Sequence, residues 1–180
     1  IKHIDLINNE LTKLAVSCIE TIEYLNLSHN ALTDINLTDG ERIATLDLSY
    51  NKLESVRLSY QSSLTDCDLS HNKLSAVTMP EANVLERMDI SSNNFTFANM
   101  PDRGTLSEAN FLYVPQSDIV IPAKGVGCDL GSQYVTIGGN TTQFMWKDTN
   151  GELLEADTHY TISNGVTRFT SAATGRTVHC

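Results

Sequence analysis

Basic side chains are scarce in this chain: 12 Lys and Arg stand against 22 Asp and Glu, a net charge of -10. That sign opposes a phosphate backbone or an anionic membrane surface, so nucleic acid is not an expected partner. Long apolar runs are missing too, and none approaches the roughly 18 residues of a helical membrane span. The four cysteines have no short paired spacing, which removes the usual zinc signature. His-Glu-x-x-His, Gly-x-Ser-x-Gly and the phosphate loop are all absent, and only weak Gly pairs occur at Gly125, Gly127, Gly138 and Gly139. No catalytic role, metal or cofactor is therefore expected. What remains is 180 residues, 41% apolar and 19% charged, enough for one generous domain or two small ones. This balance excludes disorder and collagen. The chain opens at Ile1 without Met or a leader and reads as a mature or trimmed fragment.

Self-comparison reveals a repeat. Asn9, Asn30, Asn51, Asn72 and Asn93 lie 21 residues apart. Each is the sixth residue of a frame whose first, third and eighth positions are apolar, at residues 4–11, 25–32, 46–53, 67–74 and 88–95. Another apolar column, Ile1, Ile22, Ile43, Leu64 and Leu85, stands upstream. A short strand with alternating inward residues would bury the first and third positions of each frame, such as Leu25 with Leu27 and Leu46 with Leu48. The Asn can then turn the chain inward. Its amide both donates and accepts, so stacked copies form a buried ladder, and losing one would strand polar partners at about 1–3 kcal/mol each. A second alternation follows (Leu14 and Val16, Ile35 and Leu37, Val56 and Leu58, Val77 and Met79) and predicts an extended convex side with no room for a full helix. One copy cannot bury its apolar face alone, so the five must stack into a curved solenoid. Ile1 leaves an apolar edge that an upstream cap would cover. Through Phe97, Met100 and Pro101 to residues 111–115 the pattern dissolves into a closing turn.

From about residue 118 the period is lost and short strand-like runs alternate with turn signals. Strands are expected at 119–121, 134–137, 142–147, 158–162, 166–170 and 177–180, with turns at Asn150-Gly151 and Asn164-Gly165. The expected organisation is a solenoid over residues 1–117 and an all-β sandwich segment over 118–180, too short to be complete. The acidity belongs to the solenoid: residues 1–118 hold 17 acids and 8 bases, residues 119–180 only 5 and 4.

The blocks 25–30, 46–51 and 67–72 resemble the 21-residue repeats of bacterial surface leucine-rich repeat proteins, an architecture shared with internalin-like proteins. The stretches 113–116 and 146–151, with the hairpin over 160–169, resemble more closely the Bacteroidetes leucine-rich repeat surface proteins, in which a solenoid runs into an immunoglobulin-like module. The order Cys128, Trp146, Cys180 is similar to the Cys, Trp, Cys order of immunoglobulin domains, without the Tyr two residues before the second Cys. This resemblance implies an extracellular or cell-surface location and a role in adhesion or recognition. It carries no specific binding residue. Cys128 and Cys180 are the candidate disulfide in an oxidising compartment. Cys67 holds a core Leu position and is expected to be a buried apolar residue, with Cys18 two coils away from it.

Aligned strands present columns of side chains on a rigid sheet, and these columns are the candidate site. The central column is Asp5, Asn26, Asp47, Asp68 and Asp89. At a strand spacing of about 4.8 Å, the last three would repel pairwise by roughly 1–3 kcal/mol. Such a row either contacts a cationic ligand or is solvated filler satisfied by turn hydrogen bonds. One flanking column is Tyr24, Thr45, Asp66 and Arg87, with Arg87 set to pair with Asp66. The other is His29, Tyr50, His71 and Ser92. Tyr24 and Tyr50 could stack on a sugar or a peptide. His29 and His71, about 10 Å apart by strand spacing, are too distant to share one zinc. The expected function is non-enzymatic recognition of protein or glycan by a monomer, through the concave face. A targeting module of a larger surface enzyme and a structural spacer are the alternatives.

Overall fold

A computed structural model describes residues 1–15, 19–82, 84–117, 127–137, 140–175 and 177–180. The chain divides into two compact units, Ile1–Asp118 and Ile119–Cys180. Val16, Cys18, Gly125, Gly138, Gly139 and the expected strand at 119–121 lie outside the described residues.

The first unit is a parallel-strand β-solenoid with about 21 residues per turn. Its strands β1 (His3–Asp5), β2 (Tyr24–Asn26), β3 (Thr45–Asp47), β5 (Asp66–Asp68) and β7 (Arg87–Asp89) each carry one inward residue between two outward ones. They form a six-stranded parallel sheet in the order β1-β2-β3-β5-β7-β8, where β8 is Phe111–Leu112. Register follows the repeat: Ile4, Leu25, Leu46, Cys67, Met88 and Phe111 pair in one row. Leu25, Leu27, Leu46, Leu48, Leu69, Met88 and Ile90 are at most 1% exposed, so the alternation read from the sequence is the core. On the opposite side, β4 (Ser55–Arg57) and β6 (Ala76–Thr78) pair in parallel. Val56, Leu58 and Leu37 point inward there and are buried. The second alternation is thus extended, as its pattern predicts, with ladder pairing where Val56 meets Val77.

The segment after Pro101 does more than close the solenoid. β8 adds a sixth strand in register with β7, and Gln116 takes the place of the next ladder Asn. Its Oε1 accepts from the Phe95 amide at 3.1 Å and its Nε2 donates to the Ile90 carbonyl at 2.9 Å and to that of Tyr113. The spacing from Asn93 is 23 residues rather than 21, which hides the substitution from a strict period.

Cys67 is fully enclosed between the Leu46 and Met88 rows. Burial, then the charges of Asp68, Asp47 and Asp66, push its thiol far above the usual range. The thiol is raised in the fold, so its contribution to stability is complete below the unfolded thiol pKa and is lost as pH rises through the folded value. Cys67 is expected to resist an aromatic disulfide reagent in the native protein at pH 8 and to react on unfolding. Peptide mapping of the labelled chain checks this, and rapid native labelling of Cys67 would contradict it.

The second unit is also mainly β. β9 (Gly127–Asp129), β13 (Tyr160–Ser163) and β14 (Val166–Phe169) form an antiparallel sheet in the order β13-β14-β9. Two small antiparallel ladders pair β10 (Thr136–Ile137) with β11 (Asn140–Thr141) and β12 (Lys147–Asp148) with β15 (Val178–His179). The hairpin β13-β14 turns at Asn164-Gly165, both at positive φ (47° and 79°), the geometry a two-residue loop of this composition favours. At the other signal the Gly151 amide donates to the Asp148 carbonyl at 2.9 Å.

The expected strand at 142–147 is not formed as one element. Phe144 and Trp146 face inward while Gln143 and Met145 are exposed, as in an extended chain, but ladder pairing occurs only at the flanking β11 and β12. Trp146 centres a small core with Leu130, Leu154, Tyr160 and Ala173. Its ring meets Phe169 edge-on at 4.9 Å, and its Nε1 donates to Thr167 Oγ1 at 3.1 Å. Cys128 and Cys180, the candidate disulfide pair, stand as thiols in this structure, near enough that the charge of one reaches the other. Desolvation and then Asp129 raise Cys128, while desolvation and then Cys128 raise Cys180 against the opposing backbone of Met145.

Candidate functional site

The open face of the six-stranded sheet is built by one local device repeated in five coils. The central residue of each coil, Asn26, Asp47, Asp68 or Asp89, accepts through Oδ1 from the backbone amide two residues on, Ser28, Ser49, Ser70 or Ser91, at 2.9 Å. Ser28 and Ser49 add a hydroxyl bond to the same oxygens at 2.7 Å. Asp5 makes the corresponding bond to the Ile7 amide at 3.2 Å. This is an Asx turn, which Asn and Asp stabilise equally because only the acceptor oxygen is used. Asn26 is buried and the three aspartates are half-buried. One carboxylate oxygen of each aspartate in this row is thus engaged in turning the chain.

The residue before each ladder Asn lies in the left-handed region. Asn8, His29, Tyr50, His71 and Ser92 have φ between 53° and 57°, a conformation uncommon for side chains as bulky as these. The ladder Asn compensates by fastening each turn to the coil before it. Asn51 accepts from the Leu32 amide at 2.9 Å and donates to the Leu27, Leu48 and Ser49 carbonyls at 2.9–3.2 Å. Asn30, Asn72 and Asn93 repeat the pattern, while Asn9 donates only within its own turn, to Leu6 and Ile7.

Identical backbone geometry in successive coils throws the side chains of the left-handed column in one direction. His29 stacks on Tyr50 with ring centroids 4.2 Å apart and planes 9° from parallel, and Tyr50 stacks on His71 at 4.0 Å and 11°. Tyr50 is 45% exposed and both histidines are exposed, so the edges of three rings form a continuous polar and aromatic strip. The Tyr50 ring stands between the two imidazoles. A second stack, His3 on Tyr24 at 4.1 Å and 3°, occupies the opposite flank of the same sheet. Among the described residues, no group of three or more His, Cys, Asp and Glu gathers at a distance suited to a metal.

Arg87 pairs with Asp89, Nη2 to Oδ2 at 3.9 Å, rather than with Asp66 as expected. Alternate residues of one strand share a face, and this brings Arg87 and Asp89 together at lower cost than reaching across to β5. Asp66 instead accepts from Thr65 Oγ1 at 3.0 Å. With Arg87 half exposed, the pair contributes little to stability.

Sequence reading thus placed Tyr24, His29, Tyr50, His71, Arg87 and the aspartates on one face. It did not anticipate the ring stacks, although a 21-residue spacing between ring-bearing positions carried that signal. Gln61 was also missed. Fully buried, it donates to the Leu37 carbonyl at 2.6 Å and leaves Oε1 without a partner. No helix among the described residues is long and apolar enough to cross a membrane. The chain matches no family model and no curated protein.

Proposed function

We propose that this chain is a non-catalytic binding module of an extracellular or bacterial cell-surface protein: a leucine-rich repeat solenoid followed by an immunoglobulin-like segment, recognising protein or glycan through the concave face. The observation that carries the reading is the exposed His29–Tyr50–His71 stack. It is preorganised at no cost in side-chain ordering on binding, because neighbouring rings already restrict each rotamer. It also combines an apolar body with ring nitrogens and a hydroxyl, the amphipathic character that enriches Tyr at interfaces. The aspartates matter here chiefly as the turns that hold this strip in place.

The test is a binding screen of the whole chain against immobilised matrix proteins and a glycan array, with calcium and with chelator. Tyr50→Asn removes the central ring and supplies a residue that tolerates the left-handed backbone. Substituting Asp47, Asp68 and Asp89 together by Asn removes the charge but keeps the acceptor, as Asn26 already demonstrates in its own coil. The expected result is a partner whose affinity falls at least tenfold, about 1.4 kcal/mol, in Tyr50→Asn and changes little in the triple variant. Loss only in the triple variant would return recognition to the carboxylates. Absence of any partner, or full binding by Tyr50→Asn, would overturn the assignment to the ring strip.

A further inference from the structure

The second unit contains a cleft that the solenoid reading does not use. It has a volume of about 380 Å³, toward the lower end of the range of small-molecule sites. Tyr134, Thr142, Gln143, Phe144, Tyr160 and Asn164 line it. With Ala156, Ile162 and Gly165 completing the lining, three of the nine residues are aromatic, three are uncharged hydrogen-bonding residues and three are small or aliphatic, and no Asp, Glu, Lys, Arg or His contributes to the wall. It gives no purchase to an ion or a charged peptide.

The walls are held by the fold. Thr142 Oγ1 donates to the Val135 carbonyl at 3.1 Å, and the Thr142 amide donates to the same carbonyl at 2.9 Å, which secures one side. Tyr160 stands on β13 with its ring buried against Phe169 at 6.5 Å, and the tight turn at Asn164-Gly165 contributes to the lining. Against this fixed frame, several polar ends are left unused. Among the described residues the hydroxyls of Tyr134 and Tyr160 and the amides of Gln143 and Asn164 have no hydrogen-bond partner. Tyr134, Gln143 and Asn164 are exposed residues, and the Tyr160 hydroxyl is not among the buried unpartnered side-chain atoms of the described residues. Tyr134 is 42% exposed.

We infer that this cleft binds one pyranose unit of a neutral glycan. A pyranose offers a C–H face that packs on an aromatic ring, with equatorial hydroxyls around it that both donate and accept. The cleft offers the complement: rings of Tyr134 and Phe144, two amides that both donate and accept, and two phenolic hydroxyls that do the same. An anionic sugar would find no cation there and a cationic one no carboxylate. This site is independent of the ring strip on the solenoid, so the two can be tested separately in one protein.

The experiment adds the neutral methyl glycosides of glucose, galactose, mannose and N-acetylglucosamine, one at a time, to the full chain labelled with nitrogen-15. At least one glycoside is expected to shift the amide resonances of Thr142, Gln143 and Asn164 saturably. Tyr134→Ala and Gln143→Ala should each weaken that interaction at least tenfold, whereas Tyr50→Asn should leave it unchanged. The single tryptophan reports that the variants remain folded, since Trp146 lies in the core of this unit. The inference is overturned if no glycoside perturbs these amides, if folded Tyr134→Ala and Gln143→Ala bind as the parent does, or if binding is lost in Tyr50→Asn. Failure of the solenoid screen with success here would leave this site standing, and the reverse outcome would remove it alone.

Discussion

Asn51→Ala is expected to destabilise the solenoid by about 3–5 kcal/mol, because at least two buried groups lose their partners at about 1–3 kcal/mol each. The Leu32 amide donates to Asn51 Oδ1, and the Leu27 carbonyl of the preceding coil accepts from Nδ2. Both residues are fully buried, so water cannot replace the missing amide without entering the core. Asn51→Asp should also be costly, since it restores an acceptor where three carbonyls await a donor. Asn9→Ala is the matched control: Asn9 is exposed and bonds only within its own turn, so its loss is expected to cost less than about 1 kcal/mol. Urea denaturation followed by far-ultraviolet circular dichroism measures both. A loss below about 1 kcal/mol in Asn51→Ala would mean that the ladder is not what couples the coils.

Gly165→Ala is expected to cost the second unit about 3 kcal/mol, combining left-handed strain of about 1–2 kcal/mol with overpacking of similar size. With φ at 79°, an added Cβ would sit 2.7 Å from the Leu130 carbonyl oxygen, 2.9 Å from its carbon and 3.0 Å from Gly131 Cα. All three are backbone atoms. They cannot swing aside as a side chain would, and the same residues are tied by the bond from the Leu130 amide to the Gly165 carbonyl at 3.0 Å. Gly151 separates the two contributions, because its φ is 82° but nothing lies within 4 Å of its Cβ position. Gly151→Ala should therefore carry the conformational cost alone, about 1 kcal/mol. Trp146 fluorescence follows the second unit specifically, as the only tryptophan in the chain. Equal losses in the two variants would contradict the steric argument.

Much of the solenoid was legible because its physics is periodic. A ladder Asn every 21 residues, with alternating apolar neighbours, dictates one inward side chain per strand and one register between strands, and the row from Ile4 through Leu25, Leu46 and Cys67 to Met88 follows it. The closing strand was legible only in part. Phe111 stood out as apolar, but two extra residues in the connection before it shift Phe111 and Gln116 together to a spacing of 23 from Met88 and Asn93. In the second unit the Asn164-Gly165 turn was readable from two residues, because few dipeptides accept two consecutive positive φ values. The run at 142–147 was not, since alternation specifies an extended chain without specifying a partner strand.

The candidate site divides in the same way. Sequence alone determined which residues share the open face, because side-chain direction in a strand depends only on parity. It also determined the acidity of the solenoid and the lack of catalytic or metal-binding motifs. Tertiary structure alone decided what those residues do there. The aspartates became turn caps because their Oδ1 atoms lie within reach of amides two residues on. His29, Tyr50 and His71 became a stack because a repeated left-handed backbone aims three rings, one per coil, along the same direction at strand spacing. The cleft of the second unit arises from Tyr134, Gln143 and Asn164, side chains brought to one place from separate stretches of the sequence. Local sequence dictates direction, which is a property of one strand; contact is a property of many, and only the packed chain supplies it.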